Sequence, residues 1–255
     1  MKKVSIVTVC LNSESVIQGC LESVRTQTYP NVEHIIIDGK SSDRTLQLVE
    51  AERQAAGSRI AAVLSETDEG IYEAMNKAIP LCSGDWLYFL NADDRLFSPK
   101  TVEQMMQSLT LNNSEIMVGR VLLFDQKTGH SSLHSPRKIS RLRLLSGGIY
   151  QQNWIAQRSL FEQIGGFDQE MQLCADVEWL GRALVHGKRI TVSNVLFAVF
   201  SQGGRSSDFA TVVREHRIME RRICNHFTWV AFKALKKTVS GLNTCLRRAF
   251  PAVID

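Results

Sequence analysis

Gly84-Asp85-Trp86-Leu87-Tyr88-Phe89-Leu90-Asn91-Ala92-Asp93-Asp94, or GDWLYFLNADD, runs five apolar or aromatic residues almost without interruption into a pair of carboxylates. An unbroken apolar run of this length reads as a strand buried on both faces, which is the habit of parallel sheets covered by helices. An isolated pair of aspartates more often sits in a solvated turn or near a helix start. At the end of a buried parallel strand it lies where open α/β sheets bind their ligands.

The flanking sequence fits that reading. Residues 4–9 are rich in β-branched side chains, and residues 13–27 space Val16, Ile17, Cys20, Leu21 and Val24 at helical intervals. The alternation repeats with a strand at 32–37, a helix at 42–56 with Ser42 and Asp43 as candidate caps, a strand at 60–64 and a short helix at 71–80. Beyond the central strand, residues 99–109 read as a helix and 116–124 as a long strand that Lys127-Thr128-Gly129 can turn back. A further helix is expected from Cys174 or Ala175 to His186, with Gly187 to stop it. The fold class is therefore α/β, with a sheet flanked by helices.

Composition excludes several classes. A chain of 255 residues with 44% hydrophobic and 22% charged residues has enough apolar surface for a large core. Its six cysteines are scattered without a CxxC pair, which argues against a disulfide framework or a zinc site and for a reducing, cytoplasmic setting. The apolar start of MKKVSIVTVCLN reads as a first strand rather than a signal sequence, and no window has the length of a membrane span. Charge is uneven: residues 211–255 hold nine basic and three acidic side chains, so a basic tail follows a slightly acidic body.

The strand ends supply the candidate chemistry. Asp38 closes the second strand in IDGKSSDRT, Asp68 lies in SETDEGIYEAMNKAI, and Asp93 and Asp94 end the central strand. Carboxylates gathered from distant loops repel one another unless a cation or a donor-rich ligand joins them. Hard cations such as Mg²⁺ or Mn²⁺ take carboxylate and phosphate oxygens, so the pair suits a metal bridging a nucleotide diphosphate. Asp176, on the expected first turn of a helix, is either a dipole-stabilised helix start or a general base. Glu178, two residues on, points elsewhere and does not share its role.

Six collinear segments, SIVTVCLN, IDGKSSDRT, SETDEGIYEAMNKAI, GDWLYFLNADD, GGFD at 165–168 and ADVEWL at 175–180, resemble the family 2 glycosyltransferases of GT-A fold. The likeness covers residues 1 to about 207, including the stretch 203–207, and is nearest to bacterial enzymes of colanic acid, capsule, exopolysaccharide or O-antigen assembly. It implies a Rossmann-like, mixed and mainly parallel sheet with a C-terminal helical extension, divided as a transferase domain of 1–210 and a basic extension of 211–255. It also implies a nucleotide-sugar donor, a UDP-sugar foremost, and a saccharide or lipid-linked acceptor.

Residue by residue, the resemblance assigns the main chain at Val9, Asp38, Asp68 and Asp93 to the donor pocket. It assigns Asp94 to the metal, Mg²⁺ or Mn²⁺, and Asp176 to base catalysis with inversion. Departures from the family pattern are Ala175 where an acidic residue is usual, Asn91 where Asp is frequent, and Gln151-Gln152 where His-Gln is common. They bear on acceptor contacts. A nucleotidyltransferase is an alternative, although residues 10–15 lack its phosphate loop, and a catalytically idle scaffold at a membrane is another. The tail is either an amphipathic helix meeting the inner face of the plasma membrane through Phe227, Trp229 and Phe232, or a helix packed on its own domain. No nucleic-acid module is recognisable.

Overall fold

The computed structural model describes residues 1–136, 138–145, 148–202 and 209–223. Its first half alternates as expected: β1 (Val4–Cys10), α1 (Ile17–Arg25), β2 (Val32–Asp38), α2 (Thr45–Gln54), β3 (Ile60–Ser65), α3 (Ile71–Ala78) and β4 (Trp86–Phe89). Then follow β5 (Arg95–Leu96), α4 (Thr101–Asn112), β6 (Ile116–Asp125), β7 (Ser131–His134), α5 (Arg141–Leu145), β8 (Trp154–Gln157), α6 (Arg158–Ile164), α7 (Ala175–Val185), β9 (Ile190–Gln202) and α8 (Phe209–Ile223). The strands join in one sheet of order β3-β2-β1-β4-β8-β6-β9-β5, with β7 beside β6.

The quoted stretch is the centre of this sheet. Trp86 to Phe89 are all buried, and β3, β2, β1 and β4 run parallel, so the ends at Ser65, Asp38, Cys10 and Phe89 open on one side. Beyond β4 the sheet is mixed. β8 begins at the carboxyl end of β4 and runs back antiparallel to both β4 and β6, whereas β9 runs parallel to β6 and ends on the open side at Ser201 and Gln202. That reversal brings the turn before β8 and the end of β9 to the aspartates.

Helix α1 starts later than its apolar spacing predicts. The Ser13 N–H is taken by Thr45 Oγ1 and the Glu14 N–H by Asp43 Oδ2, so 13–16 form a turn tied to the next helix. Asp43 sits one residue outside the N-cap of α2 and accepts the Thr45 N–H from there. Helix α7 ends as expected, with Gly187 at φ 68° donating its N–H to Leu184. The cysteines at 10, 20, 82 and 174 are free and buried. Among the described residues no helix is long and apolar enough to cross a membrane.

The larger core lies between the sheet and α3, α6, α7 and α8. Trp179 of α7 stacks on Trp154 at 5.3 Å and on Phe161 at 4.3 Å, fixing α7 against β8 and α6. Met219 and Ile223 of α8 are buried in the same core. Ile223 packs where Gly181 leaves α7 without a side chain, so any Cβ there would collide with it. The first turns of the basic tail are thus docked on the body. Phe227, Trp229, Phe232 and the glycine-arginine-serine stretch 203–207 lie outside the described residues.

Candidate active site

The loops at the open side are knotted by their own polar groups. Gly39 donates its N–H to the Cys10 carbonyl at 2.8 Å, and β-pairing sets Val9 beside Ile37 and Cys10 beside Asp38. Asp38 is fully buried. One carboxylate oxygen accepts the Ser41 N–H at 3.0 Å and the Ser65 hydroxyl at 2.7 Å, and the other accepts the Ser41 hydroxyl. It therefore binds the end of β3 to the loop after β2. Gly39 lies directly against Asp68, whose Oδ2 would stand 2.6 Å from a Cβ at that position. Val9, Asp38 and Asp68 are accordingly brought together at one rim.

The paired aspartates differ sharply. Asp94 is buried, its Oδ2 accepting the Gln152 amide at 2.6 Å and its Oδ1 the Ser201 N–H at 2.8 Å. Desolvation, followed by repulsion from Asp93, pushes its carboxyl well above the usual range despite those two bonds. Asp93 is exposed, its carbonyl held by the Ser201 hydroxyl at 2.7 Å, and desolvation raises its pKa too. So Asp94, expected as the metal ligand, has both oxygens engaged by protein. Asp93, expected beside the ribose, presents the open carboxylate.

Next to them Asn91 Oδ1 is buried without a partner. Among the described residues no three His, Cys, Asp or Glu side chains form a metal site by themselves. One open carboxylate suits a Mg²⁺ or Mn²⁺ that keeps waters and takes its remaining ligands from substrate phosphates, and the donor set fits that case.

Asp176 lies on the first turn of α7 and is buried. The Tyr72 hydroxyl of α3 donates to its Oδ1 at 3.0 Å. Burial raises this carboxyl to about 6, against the opposing bonds from Tyr72 and the Val177 N–H. Glu178 points away, as expected, into a pair with Arg182 at 2.9 Å. The GGFD loop is clamped from α3: Asn76 exchanges two hydrogen bonds with the backbone of Phe167, both 2.8 Å, and Gly166 leaves room for its amide. Three residues of this site, Tyr72, Gln152 and Ser201, are not singled out as site residues by the sequence, although Tyr72 lies within SETDEGIYEAMNKAI and Gln152 belongs to the Gln151-Gln152 departure.

Residues 5–167 match the model described as Glycosyl transferase family 2. The chain belongs to that family. It is a glycosyltransferase, and its relatives include a PGL/p-HBAD biosynthesis glycosyltransferase of Mycobacterium bovis, 28% identical over 206 residues spanning 80% of this chain and 78% of that one. A UDP-Glc:alpha-D-GlcNAc-diphosphoundecaprenol beta-1,3-glucosyltransferase of Escherichia coli is 31% identical over 142 residues, 56% of this chain and 54% of its own. Among solved structures, Staphylococcus aureus TarS 1–349 in complex with UDP-GlcNAc superposes with a TM-score of 0.71 at 19% identity, covering 90% of this chain and 70% of that one. That likeness establishes the GT-A fold of this family 2 member. GT-A glycosyltransferases use nucleotide-sugar donors, often with a divalent metal.

Proposed function

We propose that the chain transfers a sugar from a nucleoside-diphosphate sugar, a UDP-sugar foremost, to a hydroxyl of a lipid-linked saccharide in surface polysaccharide or glycolipid assembly. The acceptor class draws support from the E. coli relative, whose name specifies a diphosphoundecaprenol-linked acceptor. The carrying observation is Asp176: a buried carboxylate at a helix start, oriented by Tyr72, with its pKa raised to about 6. An ordinary aspartate is a weak base, and this one is matched to neutral pH.

In this reading Asp176 takes the proton of the acceptor hydroxyl as that oxygen attacks the anomeric carbon. The bond from that carbon to the diphosphate breaks, and a single displacement inverts the configuration. Val9, Asp38 and Asp68 form the nucleoside end of the donor pocket. Asp93 offers its open carboxylate to a divalent cation, and Asp94 braces the loop that presents it. When bound there, the cation supplies charge neutralisation to the leaving diphosphate.

In this reading residues 1–210 carry the transferase chemistry and 211–255 are an extension whose turns through Ile223 are docked on that domain and complete its packing. The remaining stretch carries Lys233, Lys236, Lys237, Arg247 and Arg248 and suits contact with an anionic membrane. Screening UDP- and GDP-sugars with Mn²⁺ for hydrolysis, and then for transfer to a diphospholipid-linked sugar, tests the function. A protein that turns over none of them refutes it. Flotation with anionic vesicles, comparing the full chain with residues 1–223, tests the membrane contact, and equal flotation of the two counts against it.

A further inference from the structure

Two side chains from different elements bear on Asp176, one by direct contact and one through the backbone that precedes α7; Tyr72 lies within the SETDEGIYEAMNKAI segment and Glu215 in none of the six segments. Tyr72 reaches it from α3. From α8, the buried carboxylate of Glu215 accepts three successive backbone N–H groups: Gln172 at 2.7 Å on Oε1, and Leu173 at 3.0 Å and Cys174 at 2.9 Å on Oε2. Those three residues are the last of the loop before α7, so Glu215 fixes the point from which α7, and Asp176 on its first turn, departs. A buried charge with three N–H donors is a strong restraint, and loss of one partner leaves the others unpaired.

The same helix grips both sides of that point. Arg222 pairs with Asp168 of the GGFD loop and lies 3.5 Å from Glu178 of α7. The start of the basic tail is therefore bound both to the loop that leads toward α7 and to α7 itself, which carries Asp176.

We infer that Tyr72 and Glu215 are positioning residues for Asp176, with α8 serving as a structural part of the active site. The inference rests on Asp176 being the base. The two act with opposite sign on its charge. Tyr72 donates to the carboxylate and favours the ionised form, whereas the Glu215 carboxylate opposes it. Among the described residues, Asp176 also meets its own and the Val177 backbone N–H and the Cys174 thiol, which burial holds neutral with a pKa raised to about 12.

The test is a titration of Asp176 in the full chain by difference infrared spectroscopy, with Asp176→Asn as the blank and no ligand present. Tyr72→Phe should move the titration up, and Glu215→Gln should move it down, each by roughly half a pH unit or more. The acid limb of kcat should follow, measured with whichever of UDP-glucose, UDP-N-acetylglucosamine and GDP-mannose turns over. KM for that donor should stay within about twofold. Opposite displacements establish the roles. No displacement, or two of the same sign, overturns them.

If Glu215→Gln does not fold, Glu215→Asp replaces it: the charge is kept, the reach shortens, and kcat should fall at least tenfold while the Asp176 titration stays near its wild-type position. Unchanged kcat there overturns the part assigned to Glu215. An Asp176→Asn variant that retains turnover refutes the base itself, and this is a separate result from unmoved titrations in an enzyme that needs Asp176.

Discussion

Gln152 donates its amide to Asp94 Oδ2 across 2.6 Å, from a turn 58 residues further along the chain. With the Ser201 N–H on the other oxygen, this bond turns Asp94 inward and leaves Asp93 as the carboxylate open to solvent.

Substitutions in the pair should therefore separate. Asp93→Ala should abolish the Mn²⁺ dependence of UDP binding in calorimetric titrations while leaving thermal stability nearly unchanged. Asp94→Ala leaves a buried amide and a backbone N–H unpaired and should cost roughly 2–4 kcal/mol in urea denaturation. Mn²⁺-dependent binding that survives Asp93→Ala and is lost in a folded Asp94→Asn protein would return the ligand role to Asp94.

Asp176→Asn should reduce transfer roughly 100- to 10,000-fold while leaving UDP affinity unchanged. Its effect on stability has a definite sign. The folded pKa of Asp176 is raised from 3.8 to about 6, so its contribution is complete below the unfolded value and is lost as pH rises through about 6. Asn does not ionise, so the variant should be more stable than wild type above pH 6, by on the order of 2–3 kcal/mol. The gap should close toward pH 4. Wild-type kcat should fall as pH drops through the same region, and a flat profile between pH 5 and 8 would contradict the assignment.

The strand ends were legible because period and position alone define them: Asp38 and Asp93-Asp94 terminate apolar runs, and parallel pairing puts such ends on one side. Apolar spacing and the single Gly187 likewise located α7 and its stop. What completes the site was hidden by distance. Ser201 meets Asp94 across 107 positions and Tyr72 meets Asp176 across 104, and neither residue type announces its partner. Glu215 was unreadable for another reason. It lies among Arg214, Arg217, Arg221 and Arg222, where a glutamate looks like surface charge, yet it is buried on the helix that sets Met219 and Ile223 into the core.

Another buried carboxylate stabilises the opposite end of the sheet. Glu33 accepts from Ser5, from the Ser83 N–H and hydroxyl, and from Gly84, where the central stretch begins, and it pairs with Lys3 at 2.6 Å. Burial alone would raise its pKa, but the bonds from Lys3, Ser5 and Ser83 outweigh that and lower it to about 2. The contribution is present above the unfolded pKa of 4.5 and is lost as pH falls through about 2. Glu33→Gln should cost about 1–2 kcal/mol at pH 7, after discounting for screening near the surface. Urea titrations at pH 7 and pH 3 check it, and a larger loss at pH 3 than at pH 7 would be the wrong sign.

Truncation should find the working boundary of the catalytic body after Ile223 rather than at 210. Ending the chain at 210 removes the Glu215 carboxylate from three N–H groups, takes Ile223 from the space over Gly181, and empties the site of Met219 in the core. Two large buried side chains alone are worth at least ~4 kcal/mol. Residues 1–210 should accordingly melt far below the full chain or fail to fold, whereas residues 1–223 should keep their melting temperature within a few degrees and retain donor hydrolysis. The comparison also separates two uses of the basic segment. A helix needed only for a membrane could be removed without harm to hydrolysis in solution, but α8 bears on the base through Glu215, so its removal should abolish hydrolysis even where no membrane is present.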